Sequence, residues 1–309
     1  MVTTNTELAI CFLEEDNYAG GFTGGAAYSE TVCPTTLTTY TRMNYLAGDV
    51  KLGAMKYKRN RVKAPGIGLG KGLMVTTGVE FPDIEFSYYI QGAETDFGDD
   101  AVGMTEGTIG TSYTFNVTVP DPSGTSTSVF TVYGAQLKSY KIEGTMDNDK
   151  PPFVTVTFSA YSIKEEGIAA TGIPTLPVTA VSEWEDMAVE IDTVPITELK
   201  SFSMEIKITY VEVGSGRNST YAKFSPLLKD KELTFKIEFY KEEGVILNDL
   251  ITAVINDDVG CELITENETF LITNCYMSEN NFPEYKGDDI AEVEYSVTYK
   301  NADSAFSRA

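Results

Sequence analysis

The sequence predicts an all-β protein: two tandem antiparallel β-sandwich or barrel domains, one flanking α-helix in the second, and a long hairpin loop projecting from the first. Three observations carry that prediction. Phe202, Met204, Ile206, Ile208 and Tyr210 alternate with Ser203, Glu205, Lys207 and Thr209, and Leu233, Phe235, Ile237 and Phe239 repeat the pattern. A period of two held that long marks half-buried antiparallel strands. The 18 Tyr and 16 Phe, with many Val, Ile and Thr, suit a pleated, half-covered surface. Finally, the stretch from Phe130 to Ser162 is written again from Phe270 to Tyr299: an extended run, a polar turn, then an alternating strand.

The repeat is read from four anchors. Phe130, Val132 and Ala135 match Phe270, Ile272 and Cys275, 140 positions later. Val154, Val156, Phe158 and Ala160 match Ala291, Val293, Tyr295 and Val297 at an offset of 137. Ile84-Glu85-Phe86 matches Ile237-Glu238-Phe239 at 153, and Val50-Lys51-Leu52 matches Glu198-Leu199-Lys200. Matches in one order at similar offsets point to a duplicated β-domain.

Taken in order, residues 1–47 give one strand, Leu8 to Leu13, and an arm ending in the Thr-rich stretch Thr35 to Thr41. The first domain runs over 48–163. Its strands are expected at 84–90, 113–119, 129–132, 137–143 and 153–163, with 91–112 a Gly- and Asp-rich loop lacking a helix. A connector spans 164–197, marked by Pro174, Pro177 and Pro195; within it Ser182-Glu183-Trp184-Glu185 has capping-box spacing for one helical turn, with Trp184 as its packing anchor. The second domain covers 198–309. There Gly214 to Asn218 marks a hairpin tip, and Leu247, Leu250, Ile251 and Val254 fall at helical spacing before Gly260.

Charge narrows the function. The chain carries 46 acidic and 23 basic side chains, net −23, a field that repels phosphate and argues against sequence-reading nucleic-acid binding. Residues 50–79 reverse the sign: Lys51, Lys56, Lys58, Arg59, Arg61, Lys63 and Lys71 occur there with no acid. Their tip, Pro65 to Gly72, is too Gly-rich for a regular strand, so a basic hairpin or loop is expected. Such a patch on an acidic protein fits an acidic surface of another copy, and unlike faces on one subunit give head-to-tail assembly.

Catalytic and metal chemistry find little footing. There is no histidine, the commonest acid–base and metal-binding side chain. No cofactor, metal or catalytic residue is expected. Gly66 to Lys71 is not a phosphate loop: three residues separate Gly66 from Gly70, and Gly72 follows Lys71 where Ser or Thr is required. The doublets Asp99-Asp100, Asp257-Asp258 and Asp288-Asp289, with Asp147-Asn148-Asp149, lack calcium-loop spacing and read as turns. Cys11, Cys33, Cys261 and Cys275 show no CxxC spacing and read as reduced core thiols. Neither a signal peptide nor a membrane span is expected.

The strings "LAICFLEEDNYAGG", "VKLGAMKYKRNRVKAPGIG", "VEFPDIEFSYYI", "ITELKSFSMEIKI" and "AEVEYSVTYKNAD" together resemble the major tail tube proteins of long-tailed bacteriophages and related archaeal viruses. The likeness spans almost the whole chain as a series of weak strand motifs. It implies two tail-tube-like domains and residues 56–72 as the loop that meets the next ring, with Lys56, Lys58, Arg59, Arg61, Lys63 and Lys71 making the contact. It further implies a chain that partners itself, in trimeric rings with pseudo-six-fold symmetry rather than hexamers, stacked head-to-tail into a tube. Other tail proteins would meet the tube ends, and DNA would pass as a non-specific passenger through an acidic lumen. The implied location is the virion tail, after synthesis in the host cytoplasm. A second reading of the same strands is a tail-tip or adhesin-like β-sandwich that recognises a receptor or glycan; exposed aromatic residues clustered on loops would mark it.

Overall fold

The structure, a computed structural model, describes residues 8–15, 40–43, 46–54, 56–62, 73–91, 97–120, 127–146, 151–166, 173–176, 180–196, 199–211, 227–240, 259–266, 268–281, 294–301 and 306–308, with 57–62, 73–80, 120, 127–128, 166, 240, 280–281, 294–295, 297, 301 and 306–308 as backbone alone. It is an antiparallel all-β fold, as the alternation predicts. The first half contributes β1 (Ala9–Glu14), β2 (Thr41–Arg42), β3 (Lys51–Leu52), β4 (Lys56–Val62), β5 (Leu73–Glu80), β6 (Asp83–Tyr89), helix α1 (Gly98–Gly103), β7 (Ser112–Pro120), β8 (Thr127–Thr145), β9 (Phe153–Ser159) and β10 (Ser162–Glu166). The second contributes β11 (Ala188–Ile191), β12 (Val194–Pro195), β13 (Leu199–Val211), β14 (Leu227–Tyr240), β15 (Val259–Ile264), β16 (Thr269–Asn281), β17 (Glu294–Asn301) and β18 (Phe306–Arg308).

The two lists pair off. In the first half β2, β1, β7, the first part of β8 and β10 lie side by side; in the second β12, β11, β15, the first part of β16 and β18 do the same. The remaining strands make one continuous sheet in the order β3-β6-β9-β8-β13-β14-β17-β16, a four-strand unit written twice. One rung of directly opposed residues runs Leu52–Ile84–Phe158–Leu137 in the first unit and Met204–Phe235–Tyr299–Met277 in the second. Every residue on it is apolar, because the rung faces the core. Leu46 opposite Tyr88 and Leu199 opposite Phe239 form a second matched pair.

This register corrects the repeat offsets. Phe130, Val132 and Ala135 keep their 140-residue partners, but Phe158 corresponds to Tyr299, Ile84 to Phe235 and Leu52 to Met204, offsets of 141, 151 and 152. The cause is the period of a strand: a slip of two or four residues preserves alternation, so sequence alone cannot fix register.

β8 is the hinge of the fold. Its first part pairs with β7 and β10, its second with β9 and β13. Where the sequence reads two strands, 129–132 and 137–143, the structure has one of 19 residues with a left-handed Gly134, φ 57°, at the bend. Glycine is suited there because a side chain penalises that conformation. The buried Glu15 carboxylate accepts hydrogen bonds from Gly134 N at 2.9 Å, Thr114 Oγ1 at 2.6 Å and Ser112 Oγ at 3.0 Å, which satisfies the backbone group the bend frees. Conversely, the expected strand 153–163 breaks at Ala160–Tyr161 to follow β8 around the same bend.

A single apolar core joins the halves, from Phe12, Phe86 and Phe115 to Phe202, Phe235 and Phe270. The junction is β8 against β13, from Thr145 opposite Ser201 to Ser139 opposite Lys207. The helical turn expected in the connector is present as a 3₁₀ turn, Trp184–Asp186, in which Asp186 Oδ2 accepts the Glu183 N–H at 2.7 Å. Trp184 stacks on Phe202 at 5.7 Å and 23°, pinning the connector to this junction.

The expectation of a helix-free 91–112 segment is overturned. α1 forms there, although Gly98-Asp99-Asp100-Ala101-Val102-Gly103 is a poor helix former. Phe97, Ala101 and Met104 bury at i, i+4 and i+7, and Asp99 and Asp100 sit in the first turn where acids are favourable. Asp99-Asp100 is therefore helical, not a turn. The other acidic doublets and the helix expected at 247–254 lie outside the described residues, as does the 214–218 tip.

Candidate assembly surfaces

The basic segment forms a ribbon. β4 pairs with β5 from Lys56 opposite Glu80 to Val62 opposite Leu73, with a bulge at Lys58–Arg59, and the two make a separate two-stranded sheet. The ribbon is inserted between β3 and β6, the position that 212–226 holds between β13 and β14. Lys56 is exposed. Lys58, Arg59 and Arg61 lie on β4, described as backbone, while Lys63 and Lys71 lie outside the described residues. The basic hairpin or loop expected within 50–79 thus takes the form of two strands, the second of which, Leu73–Glu80, lies beyond the 56–72 stretch, while 63–72 lie outside the described residues.

A second surface is the open face of the eight-stranded sheet. Ser87, Thr155, Ser139, Ser201, Ser203 and Thr298 are on it, with charged side chains between them. Six lysine–carboxylate pairs are described, all on this face. Lys51 meets Glu85 at 2.5 Å, Lys138 meets Asp83 at 2.8 Å and Lys141 meets Glu143. Lys207 meets Glu205 at 3.3 Å, Lys236 meets Glu238 at 2.5 Å and Lys300 meets Glu232 at 2.8 Å. The hydrogen bond from Lys236 holds the Glu238 carboxyl below its usual range. Exposed pairs of this kind contribute about 0–1 kcal/mol each, so their main effect is on the surface field.

The sheet ends supply the third surface, whose strands the sequence did not identify. β3 pairs only with β6, and the second part of β16 pairs only with β17 among the described residues. Gly53 donates its N–H to the Asp83 carbonyl at 2.7 Å, and a Cβ at Gly53 would lie 2.9 Å from Asp83 backbone atoms. Lys51, Gly53 and Ala54 are exposed, and Tyr276 is 38% exposed beside the other edge. The signal was the repeat itself, once its register is known.

Other titratable groups are structural. Asp100 accepts from Thr111 Oγ1 at 3.0 Å and from the Tyr113 hydroxyl, and burial raises its carboxyl above the usual range against those bonds. Lys231 reaches the end of α1, donating to the Val102 carbonyl at 2.9 Å; burial pushes its ammonium down to about 8. Cys11, Cys261 and Cys275 are free and buried, and burial lifts the Cys11 thiol to about 11; Cys33 lies outside the described residues. Among the described residues no group of His, Cys, Asp or Glu is arranged to hold a metal, and no helix is long and apolar enough to cross a membrane.

No protein-family profile and no curated protein matches the chain. Among solved structures it is similar to a chain of the anti-feeding prophage baseplate, at 8% identity and a TM-score of 0.35, over 53% of this chain and 95% of that one. A likeness of that score carries no argument about function.

Proposed function

We propose that the chain is a structural virion protein, a major tail tube subunit that polymerises into stacked rings around a DNA-conducting bore. The observation that carries this reading is the doubled four-strand unit in one continuous sheet, whose end strands each leave one edge unpaired among the described residues. Unpaired edges invite further strands, and joining them around a ring removes both. Three chains would place six such units in a ring. The β4–β5 ribbon, with Lys56, Lys58, Arg59, Arg61, Lys63 and Lys71 on it or at its tip, would reach an acidic surface of the next ring.

The open sheet face suits the bore. Six of its carboxylates are matched by lysines, so a passing phosphate backbone would meet many paired charges and hydroxyls. That repels more weakly than the net charge of −23 implies, and offers DNA no cluster of unpaired cations to bind.

Negative-stain microscopy and sedimentation of the purified protein test the proposal. Hollow tubes of uniform diameter are expected. A monomer at high concentration that instead binds a glycan or receptor would favour the tail-tip reading and contradict the tube.

A further inference from the structure

The junction inside the chain specifies the junction between chains. At β8·β13 the first unit meets the second, with Ile206 opposite Tyr140 and Glu205 opposite Lys141. β13 corresponds to β3 at an offset of 152, since Met204 and Leu52 occupy the same place on the rung. β16 corresponds to β8 at 140, fixed independently by two irregularities: a left-handed residue at Gly134 and Asn274, and a register shift at Leu137–Ser139 and Met277–Glu279. The first unit's β3 edge and the second unit's β16 edge therefore stand to each other as β13 stands to β8.

We infer that Gly53–Ala54, the segment that follows β3, adds to the end of β16 of another copy, antiparallel, with Ala54 opposite Asn280 and Gly53 opposite Asn281. The inference rests on the self-association proposed above and adds its interface and register.

Three further observations agree. Because Gly53 turns its N–H toward β6, strand alternation turns the backbone groups of Ala54 outward, where a new strand would bond them. The apolar side chains near both edges are half-covered: Val50 and Leu52 at one, Met277 at the other. Their counterparts at the internal junction, Phe202, Met204 and Leu137, are fully buried. What seals those three is the neighbouring unit, and the two sheet edges lack one among the described residues. Ala54 and Asn280 lie at opposite ends of the eight-strand order, and the described residues show no pairing between those ends within one copy.

Paired cysteines read the register directly, since directly opposed residues lie within disulfide reach. Oxidised A54C/N280C is expected to run as a ladder of covalent oligomers on a non-reducing gel and collapse on reduction. The single variants A54C and N280C should stay monomeric there. A54C/E279C, shifted by one residue, puts the thiols on opposite faces and should give at most about a tenth of that ladder. Ala54→Pro removes an outward N–H and should abolish assembly while the circular dichroism spectrum is unchanged. Assembly as in wild type with no A54C/N280C ladder, or equal cross-linking of the shifted pair, overturns the interface while leaving the tube reading intact. A wild-type chain that never self-associates overturns both.

Discussion

Gly134 and Asn274, 140 residues apart, hold the same left-handed backbone conformation, at φ 57° and 55°. Each sits where a long strand leaves one set of neighbouring strands and joins another, β8 in the first half and β16 in the second. Two residues forced into one uncommon conformation at one place in a repeat are stronger evidence of duplication than apolar matches, which alternation produces unaided.

Substitution at these bends should be asymmetric. Gly134→Ala is expected to destabilise by about 1–2 kcal/mol, the cost of a side chain in the left-handed region. Asn274→Gly should be neutral or slightly stabilising, because it relaxes the same strain. Urea denaturation of both variants checks this.

The junction between the halves should tolerate no added bulk. A Cβ at Gly144 would lie 2.9 Å from Phe202 Cε1 and 3.0 Å from Trp184 Cζ3. Gly144→Ala is expected to cost about 1–3 kcal/mol as overpacking. In Trp184→Ala, which opens that space, the same change should cost measurably less, a coupling that a double-mutant cycle reads.

Asp100 should make stability rise on mild acidification. Burial raises its folded pKa above the ordinary Asp value of 3.8, so the folded state binds the proton more tightly than the unfolded one. Its penalty is full at neutral pH and is lifted as pH falls through the raised value toward 3.8. Asp100→Asn should flatten that slope in thermal melts compared with wild type.

Lys231 gives the opposite slope at alkaline pH. Its ammonium titrates at about 8 in the fold and at 10.5 unfolded, so stability should increase as pH rises between those values. Lys231→Met should lose that increment, measured as the wild-type minus variant difference across the window.

Much of the fold was legible in the residues. Alternation at 202–210 and 233–239 marks β13 and β14, and Phe130, Val132 and Ala135 find their true counterparts. Register was not legible, because a period-two pattern looks the same after a slip of two, and only hydrogen bonding put Phe158 level with Tyr299. α1 was hidden by its two glycines and two aspartates; the anchors Phe97, Ala101 and Met104 were its only sign. The basic ribbon was visible from charge alone. Which strands form the open edges was not, since an edge is defined by which strand is missing, and sequence order does not say which strands are neighbours.

The ribbon and the edges are separable. Reversing charge at Lys58, Arg59 and Arg61 is expected to leave the subunit folded and able to form single rings while stopping tube growth, which sedimentation resolves. Full-length tubes from that variant would remove the ribbon from the stacking contact.

End-on electron microscopy of the assembled protein decides whether its subunits close around a bore. Closed rings with an open centre are expected, whose wall repeats twice for every chain because each chain supplies two equivalent four-strand units. A solid assembly, an open chain of subunits, or a wall that repeats only once per chain would contradict it.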